Sequence, residues 1–247
     1  MDTIKLFCIP YAGGSAEMYN KLKPHIHSSI EVVPIELAGR GRRRGDPFYS
    51  SVEEAAEDVF RIIRPDLMQD GYAFFGHSMG ALILYETLAK IQEAGLSAPA
   101  HVFVSARRPP SAVRKDKKVF HLLPDKDFIE ELMRVGGEIN KFLDEPALLE
   151  YFMPIIRADY SIIERYVYRE KGIKVNCGLS VLFAQEDAEV TEEEMRQWRS
   201  FAGESIRFYP FAGGHFYLFQ EMDTIARIIF NTLTMSKAIR HPFGSYG

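Results

Sequence analysis

Short apolar runs alternate along this chain with longer segments of helical periodicity, and that alternation restricts the fold more than any other feature. Residues 4–9 (IKLFCI) read as a strand, closed by Pro10 and the turn-forming pair Gly13-Gly14. Residues 30–37 (IEVVPIEL) read as a second, and Pro34 within it argues for an edge position or a strand end. Four more runs follow, at 72–75, 102–105, 179–184 and 206–209. Between them lie helices. One spans 51–63, with Ser51 as cap and Glu53 and Glu54 in its first turn, where the helix dipole favours acids. A second, at 79–93, has almost no polar face at its start and is expected to be buried, with Gly95 ending it. A third is capped by Thr191 and opens with Glu192, Glu193 and Glu194, and a last one runs from about 217 to 233. Strands separated by helices pair in parallel through right-handed crossovers, so an α/β fold is expected, with a mostly parallel central sheet flanked by helices.

The pattern breaks once. No good strand appears between about 107 and 178, a stretch of about 70 residues, too long for a bare loop. It contains Pro109-Pro110, the basic run Arg114-Lys115-Asp116-Lys117-Lys118, and helical segments at 125–135 and 146–168. We read residues 1–247 as one domain, with this insertion forming a helical lid over one end of the sheet. A chain of 247 residues buries a large core without staples. Its net charge of −4 gives no support to a general nucleic-acid binder. Two cysteines, Cys8 and Cys177, are too few for a disulfide scaffold or a cysteine-rich zinc module. No run has the length of a membrane span and no targeting segment is evident, so a cytoplasmic protein is expected.

Chemistry concentrates in Gly76-His77-Ser78-Met79-Gly80, which follows an apolar strand and opens the buried helix. That is the setting of a nucleophile elbow, in which a strand turns so sharply into a helix that side chains at the flanking glycines would strike backbone. Ser78 is then the candidate nucleophile, presented above the sheet at a helix N-terminus that favours negative charge. Serine needs a base. Of seven histidines, His77 lies within the elbow and is expected to point away from Ser78, and His25, His27, His101, His121 and His241 read as surface or packing residues. His215 follows Gly213-Gly214 after the last strand, where a flexible loop can swing an imidazole over the sheet edge. In this chain order an acid lies between serine and histidine, and the segment after residues 179–184 offers Asp187, with Glu186 as local rival. The end of the preceding strand reads Ser105-Ala106-Arg107-Arg108 and holds no carboxylate. An oxyanion hole needs two backbone N–H groups. Met79, just after the nucleophile, would supply one; Tyr11 or Ala12, in the loop after the first strand, would supply the other, with Ala12 favoured. Ile9-Pro10-Tyr11-Ala12-Gly13-Gly14 also echoes Tyr209-Pro210-Phe211-Ala212-Gly213-Gly214, two post-strand loops of one pattern.

Together these segments resemble the type II thioesterases, the free-standing editing hydrolases that accompany nonribosomal peptide and polyketide synthases. The resemblance rests on residues 6–15 (LFCIPYAGGS), Leu37-Ala38-Gly39-Arg40-Gly41-Arg42, residues 76–81 (GHSMGA) and Gly213-Gly214-His215-Phe216, and it covers nearly the whole chain. Relatives often carry Pro-Gly-Arg where this chain has Ala38-Gly39-Arg40. The resemblance implies an α/β-hydrolase fold and, as substrate, an acyl, aminoacyl or peptidyl thioester on the phosphopantetheine arm of a carrier protein domain. Ser78, His215 and Asp187 would form the triad; no metal or cofactor is needed, and a monomer is expected. Phe128, Leu132, Phe142, Leu148, Leu149, Phe152 and Met153 of the insertion are candidates for an acyl pocket, though such spacing also suits plain core. Arg40, Arg42, Arg43 and Arg44 are candidates for attracting an acidic carrier or its phosphate, with a solvated loop as the plain alternative. A carboxylesterase or lipase-like enzyme acting on oxygen esters is the rival reading, and an idle binding protein of the same fold is a more distant one.

Overall fold

The computed structural model describes residues 3–67, 71–112, 118–136 and 145–240. Residues 114–117 of the basic run, Phe142 and His241 lie outside these. Six strands form one sheet: β1 (Ile4–Ile9), β2 (Ile30–Pro34), β3 (Tyr72–His77), β4 (His101–Ser105), β5 (Gly178–Ala184) and β6 (Ile206–Phe211). Their spatial order is β2-β1-β3-β4-β5-β6, and every neighbouring pair is parallel. β2 is at the edge and ends on Pro34, short of the expected residue 37; Ile35 N–H supplies the bond to Cys8 O at 2.9 Å, so the prolyl nitrogen faces the open edge, where no donor is needed.

Successive side chains of a strand face opposite ways, and both faces are covered here. Phe7, Ile9 and Phe74 join one apolar cluster with the helices α1 (Val52–Ile63) and α2 (Met79–Glu93). Leu6, Cys8, Ala73 and Phe75 join the opposite cluster, with Ile225, Ala226 and Ile229 of the last helix. Double-sided burial is why the strands read as continuous apolar runs. Ser51 caps α1 by accepting a hydrogen bond from the Glu54 amide. α2 is buried along nearly its whole length and ends in a Schellman arrangement: Gly95, at φ +66°, donates to Gln92 O, and Leu96 donates to Ile91 O.

The insertion between β4 and β5 contains α3 (Asp125–Val135) and α4 (Pro146–Arg165). Phe120, Phe128, Leu132, Met153 and Ile156 make an apolar cluster of their own between them. Glu164 accepts from the amides of Phe120 and His121 and from the His121 ring, while Arg157 donates to the His121 and Leu123 carbonyls. At its far end the insertion is tied to the sheet layer by buried Glu86 of α2, which accepts from Tyr166 Oη at 2.7 Å and pairs with Lys171 at 2.5 Å. α5 (Glu192–Arg196) starts with a capping box between Thr191 and Glu194. The expected final helix is divided: a 3-10 turn at Tyr217–Phe219 precedes α6 (Met222–Arg240). Among the described residues no helix is long and apolar enough to cross a membrane. Cys8 and Cys177 are buried and not joined in a disulfide, and burial pushes the Cys8 thiol well above its ordinary pKa.

Candidate active site

β3 turns into α2 at Ser78, whose backbone takes φ +52° and ψ −117°. A non-glycine residue at positive φ is strained, by about 1–3 kcal/mol. The turn is held there by its surroundings. Ser78 N–H donates to Ser105 O at 2.8 Å. A Cβ on Gly76 would lie 2.7 Å from Gly80 O, and one on Gly80 would lie 2.1 Å from Ile9 O. The two glycines of the motif are therefore fixed by backbone that cannot move aside.

Sheet register brings the other loops to the same edge. Ile9 pairs with Gly76, so the loop after β1 starts beside the elbow. Ala184 pairs with Phe211, which sets the acidic loop next to the histidine loop. Those two loops are joined by Gln185 N–H to Phe211 O and Glu186 N–H to Gly213 O. His215 Nε2 lies 2.9 Å from Ser78 Oγ. Its Nδ1 lies 2.8 Å from Asp187 Oδ2 and 3.0 Å from Oδ1. The Asp187 side chain is fully buried and also accepts the Glu189 amide at 2.7 Å, whereas Glu186 is exposed. With the carboxylate accepting from Nδ1–H, Nε2 is the lone-pair nitrogen, free to accept the Ser78 hydroxyl proton.

Beneath this trio is a buried network that the sequence reading does not anticipate. His77 does turn away from Ser78, and its Nδ1 meets Ser105 Oγ at 2.8 Å; Ser105 Oγ lies 2.6 Å from Tyr217 Oη. The His77 ring is 5.3 Å from the His215 ring. Burial, and then the neighbouring His215, hold the His77 pKa well below 6.5. A neutral imidazole there adds no charge against an imidazolium at His215.

Tyr11, Ala12, Gly13 and Gly14 on one side, Phe216 and Phe219 on another, and Leu132, Phe152, Ile156 and Tyr160 of the insertion line a cavity of about 340 Å³. Of the expected pocket residues, Leu132 and Phe152 line it. Phe128 and Met153 are buried in the insertion's own cluster, Leu149 packs against that cluster, and Leu148 is exposed. Arg40 corrects the expectation of an exposed basic run. It is only 2% exposed and pairs with Asp159 of α4. Arg43 is half-buried on Asp46 and Asp58, and only Arg42 and Arg44 are exposed.

Residues 4–233 match the family model of the thioesterase domain. The chain belongs to that family. It is 32% identical over 236 residues to thioesterase PikA5 of Streptomyces venezuelae, across 96% of this chain and 83% of that protein. Among solved structures it is similar to ClbQ from the colibactin NRPS/PKS pathway, with a TM-score of 0.91 and 30% identity over 96% of this chain and 100% of that one. The type II thioesterase BorB from the borrelidin biosynthetic cluster superposes with a TM-score of 0.85 and 33% identity, over 94% of this chain and 93% of that one. The α/β-hydrolase fold expected from the resemblance is the fold of this thioesterase.

Two outcomes follow from the elbow and its support. Gly80→Ala is expected to lower the unfolding free energy of the thioesterase by the upper end of about 1–3 kcal/mol or more, measured by urea denaturation, because a methyl group there meets the Ile9 carbonyl. Below pH 6.5 the unfolded chain protonates His77 while the folded one does not, so acidification removes stability. Urea melts between pH 5 and 8 should show wild type losing up to about 1.4 kcal/mol per pH unit more than His77→Gln below about pH 6.5.

Proposed function

We propose that this thioesterase hydrolyses acyl, aminoacyl or peptidyl thioesters on the phosphopantetheine arm of carrier protein domains, acting as a cytoplasmic editing enzyme that frees misprimed or stalled nonribosomal peptide or polyketide synthases. The observation that carries the reading is the 2.9 Å contact between His215 Nε2 and Ser78 Oγ, with buried Asp187 on the other ring nitrogen. Similarity to PikA5 and to ClbQ supports the substrate class.

In this mechanism Ser78 Oγ attacks the thioester carbonyl carbon while His215 Nε2 takes the hydroxyl proton. Asp187 stabilises the imidazolium that forms. The carbonyl oxygen becomes an oxyanion facing the N–H groups of Met79 and Ala12. The C–S bond then breaks, and the departing pantetheine sulfur takes the proton from His215. Water attacks the acyl-Ser78 ester, gives a proton to Nε2, and the serine recovers it as the carboxylic acid leaves. Ala12 is supported as donor by the fate of its neighbours: Gly13 N–H donates to Asp159 and Gly14 N–H to Tyr11 O. The apolar cavity beside Ala12 suits the acyl portion. Arg42 and Arg44 remain as an exposed basic pair for an acidic carrier.

Incubation with a panel of acylated carrier domains, read by intact mass, should show deacylation that exceeds hydrolysis of a matched oxygen ester. A strong preference for the oxygen ester would replace this reading with an esterase. Ser78→Ala is expected to lower kcat by about 10⁴-fold or more and to abolish labelling by a serine-directed phosphonate. Reversing both exposed arginines, Arg42→Glu with Arg44→Glu, should lower kcat/KM on acyl carriers by about tenfold at low salt, and by much less on a small soluble thioester. Equal losses on both substrates would argue against a carrier contact there.

A further inference from the structure

Arg40 stands in one of the segments that carry the family resemblance, yet it is buried and far from any free surface role. Its guanidinium makes two parallel bonds to Asp159, Nη1 to Oδ2 at 2.6 Å and Nη2 to Oδ1 at 2.7 Å. Asp159 lies on α4, in the insertion, and is itself only 2% exposed. Asp159 Oδ2 also accepts the Gly13 amide at 2.7 Å, and Arg40 Nη1 reaches the Gly14 carbonyl at 3.2 Å. The pair therefore connects three separate pieces of chain at the loop beside the nucleophile.

The loop's geometry shows what that connection does. Gly14 N–H donates to Tyr11 O at 2.9 Å, which closes a turn over residues 11–14. Gly13, the third residue, has φ +80°, as a type II turn demands there. In a trans peptide the C=O and N–H point in opposite directions. Fixing the Tyr11 carbonyl inward thus aims the Ala12 N–H, in the same peptide unit, outward. The next peptide unit, Ala12–Gly13, is the one that flips when such a turn changes type. In the observed turn its N–H meets the Asp159 carboxylate; flipped, it would turn the Ala12 carbonyl towards that negative charge. α4 also presses on the same residue, since a Cβ on Gly13 would lie 2.5 Å from Ile156 Cγ1. From behind, Glu36 accepts the Ala16 amide at 3.0 Å, and Gly41 (φ +50°) leaves room for that carboxylate.

We propose that Asp159, clamped by Arg40, is a positioning residue: through the Gly13 amide it anchors the turn at residues 11–14 where the Ala12 amide can face the substrate oxyanion, so the oxyanion hole is complete only with α4 seated on the loop. The inference rests on the thioesterase reading above. Burial disfavours the Arg40 charge, but Asp159 together with Tyr49 and Glu36 outweighs it, and the guanidinium pKa is raised. Removing one partner would leave the other charge buried and uncompensated, whereas replacing both with apolar residues of similar size is often tolerated.

The test uses the full chain, a small soluble acyl-pantetheine thioester, and three variants: Arg40→Met with Asp159→Leu, Asp159→Asn, and Arg40→Lys. Each is checked by circular dichroism and thermal melting before assay. The double variant should fold and lose about 30–100-fold in kcat with KM within about threefold, somewhat less than deletion of an oxyanion donor. Affinity for a trifluoromethyl ketone analogue, whose adduct carries the oxyanion, should fall by the same factor. Affinity for an unreactive thioether analogue should stay unchanged. Arg40→Lys, which keeps the charge, should recover part of the loss. Folded variants that keep kcat within about threefold of wild type, or lose affinity for both analogues equally, would overturn the proposal. Should the double variant not fold, Asp159→Asn and Arg40→Lys are read against the same criteria. A wild-type protein inert on the thioester would instead defeat the functional reading, so the two failures are distinguishable.

Discussion

One close approach of two backbones governs this molecule: the carbonyl of Ile9, at the end of β1, occupies the space where a side chain on Gly80 would begin. That contact presses the first turn of α2 against the end of β1. It forces the preceding residue, Ser78, into positive φ and leaves its hydroxyl above the sheet edge. The same contact sets the loop after β1 beside Ser78. The strain at Ser78 is small against the burial of α2, whose apolar side chains from Met79 to Ala89 are enclosed almost completely. The strained turn persists because the helix that follows it has nowhere else to go.

Everything else at the edge is stitched by loops. The segment after β5 donates two backbone hydrogen bonds, to the last residue of β6 and to the loop after it, which sets Asp187 beside His215. The echo between residues 9–14 and 209–214 acquires a physical sense here. Both segments leave a strand at the same edge, and both use a glycine at positive φ, Gly13 at +80° and Gly213 at +89°, to turn inward over the site. Tyr11 and Phe216, one from each loop, meet edge to face with centroids 4.9 Å apart.

Much of this was legible from residues alone, for identifiable reasons. Strands buried on both faces are written as unbroken apolar runs, and β1 and α3 start and stop where glycine, proline and charge say they should. Ser78, Asp187 and His215, singled out by the glycines around them and their order along the chain, follow three different strands and lie in contact at one sheet edge. What sequence hides is partnership across long separations. Arg40 reads as one member of a surface basic run, because nothing nearby reveals a carboxylate 119 residues away. A faint signal does exist: Asp159 interrupts the apolar stripe formed by Ile155, Ile156 and Ile162 on α4, and an acid on a buried stripe requires a partner. Ser105 and Tyr217 carry no such mark, since a hydroxyl at a strand end or near a helix start is ordinary. The break between Tyr217–Phe219 and α6 was invisible for a related reason, because the apolar periodicity runs across it.

The insertion's own apolar cluster, separate from the two that sandwich the sheet, has an evolutionary consequence. Side chains such as Phe120 and Phe128 fill space that no strand depends on, so they can be exchanged without disturbing the catalytic edge. Substitutions there can therefore reshape the roof above the cavity while Ser78, Asp187 and His215 below it keep their places. That freedom ends at the Arg40–Asp159 pair, where roof and floor touch.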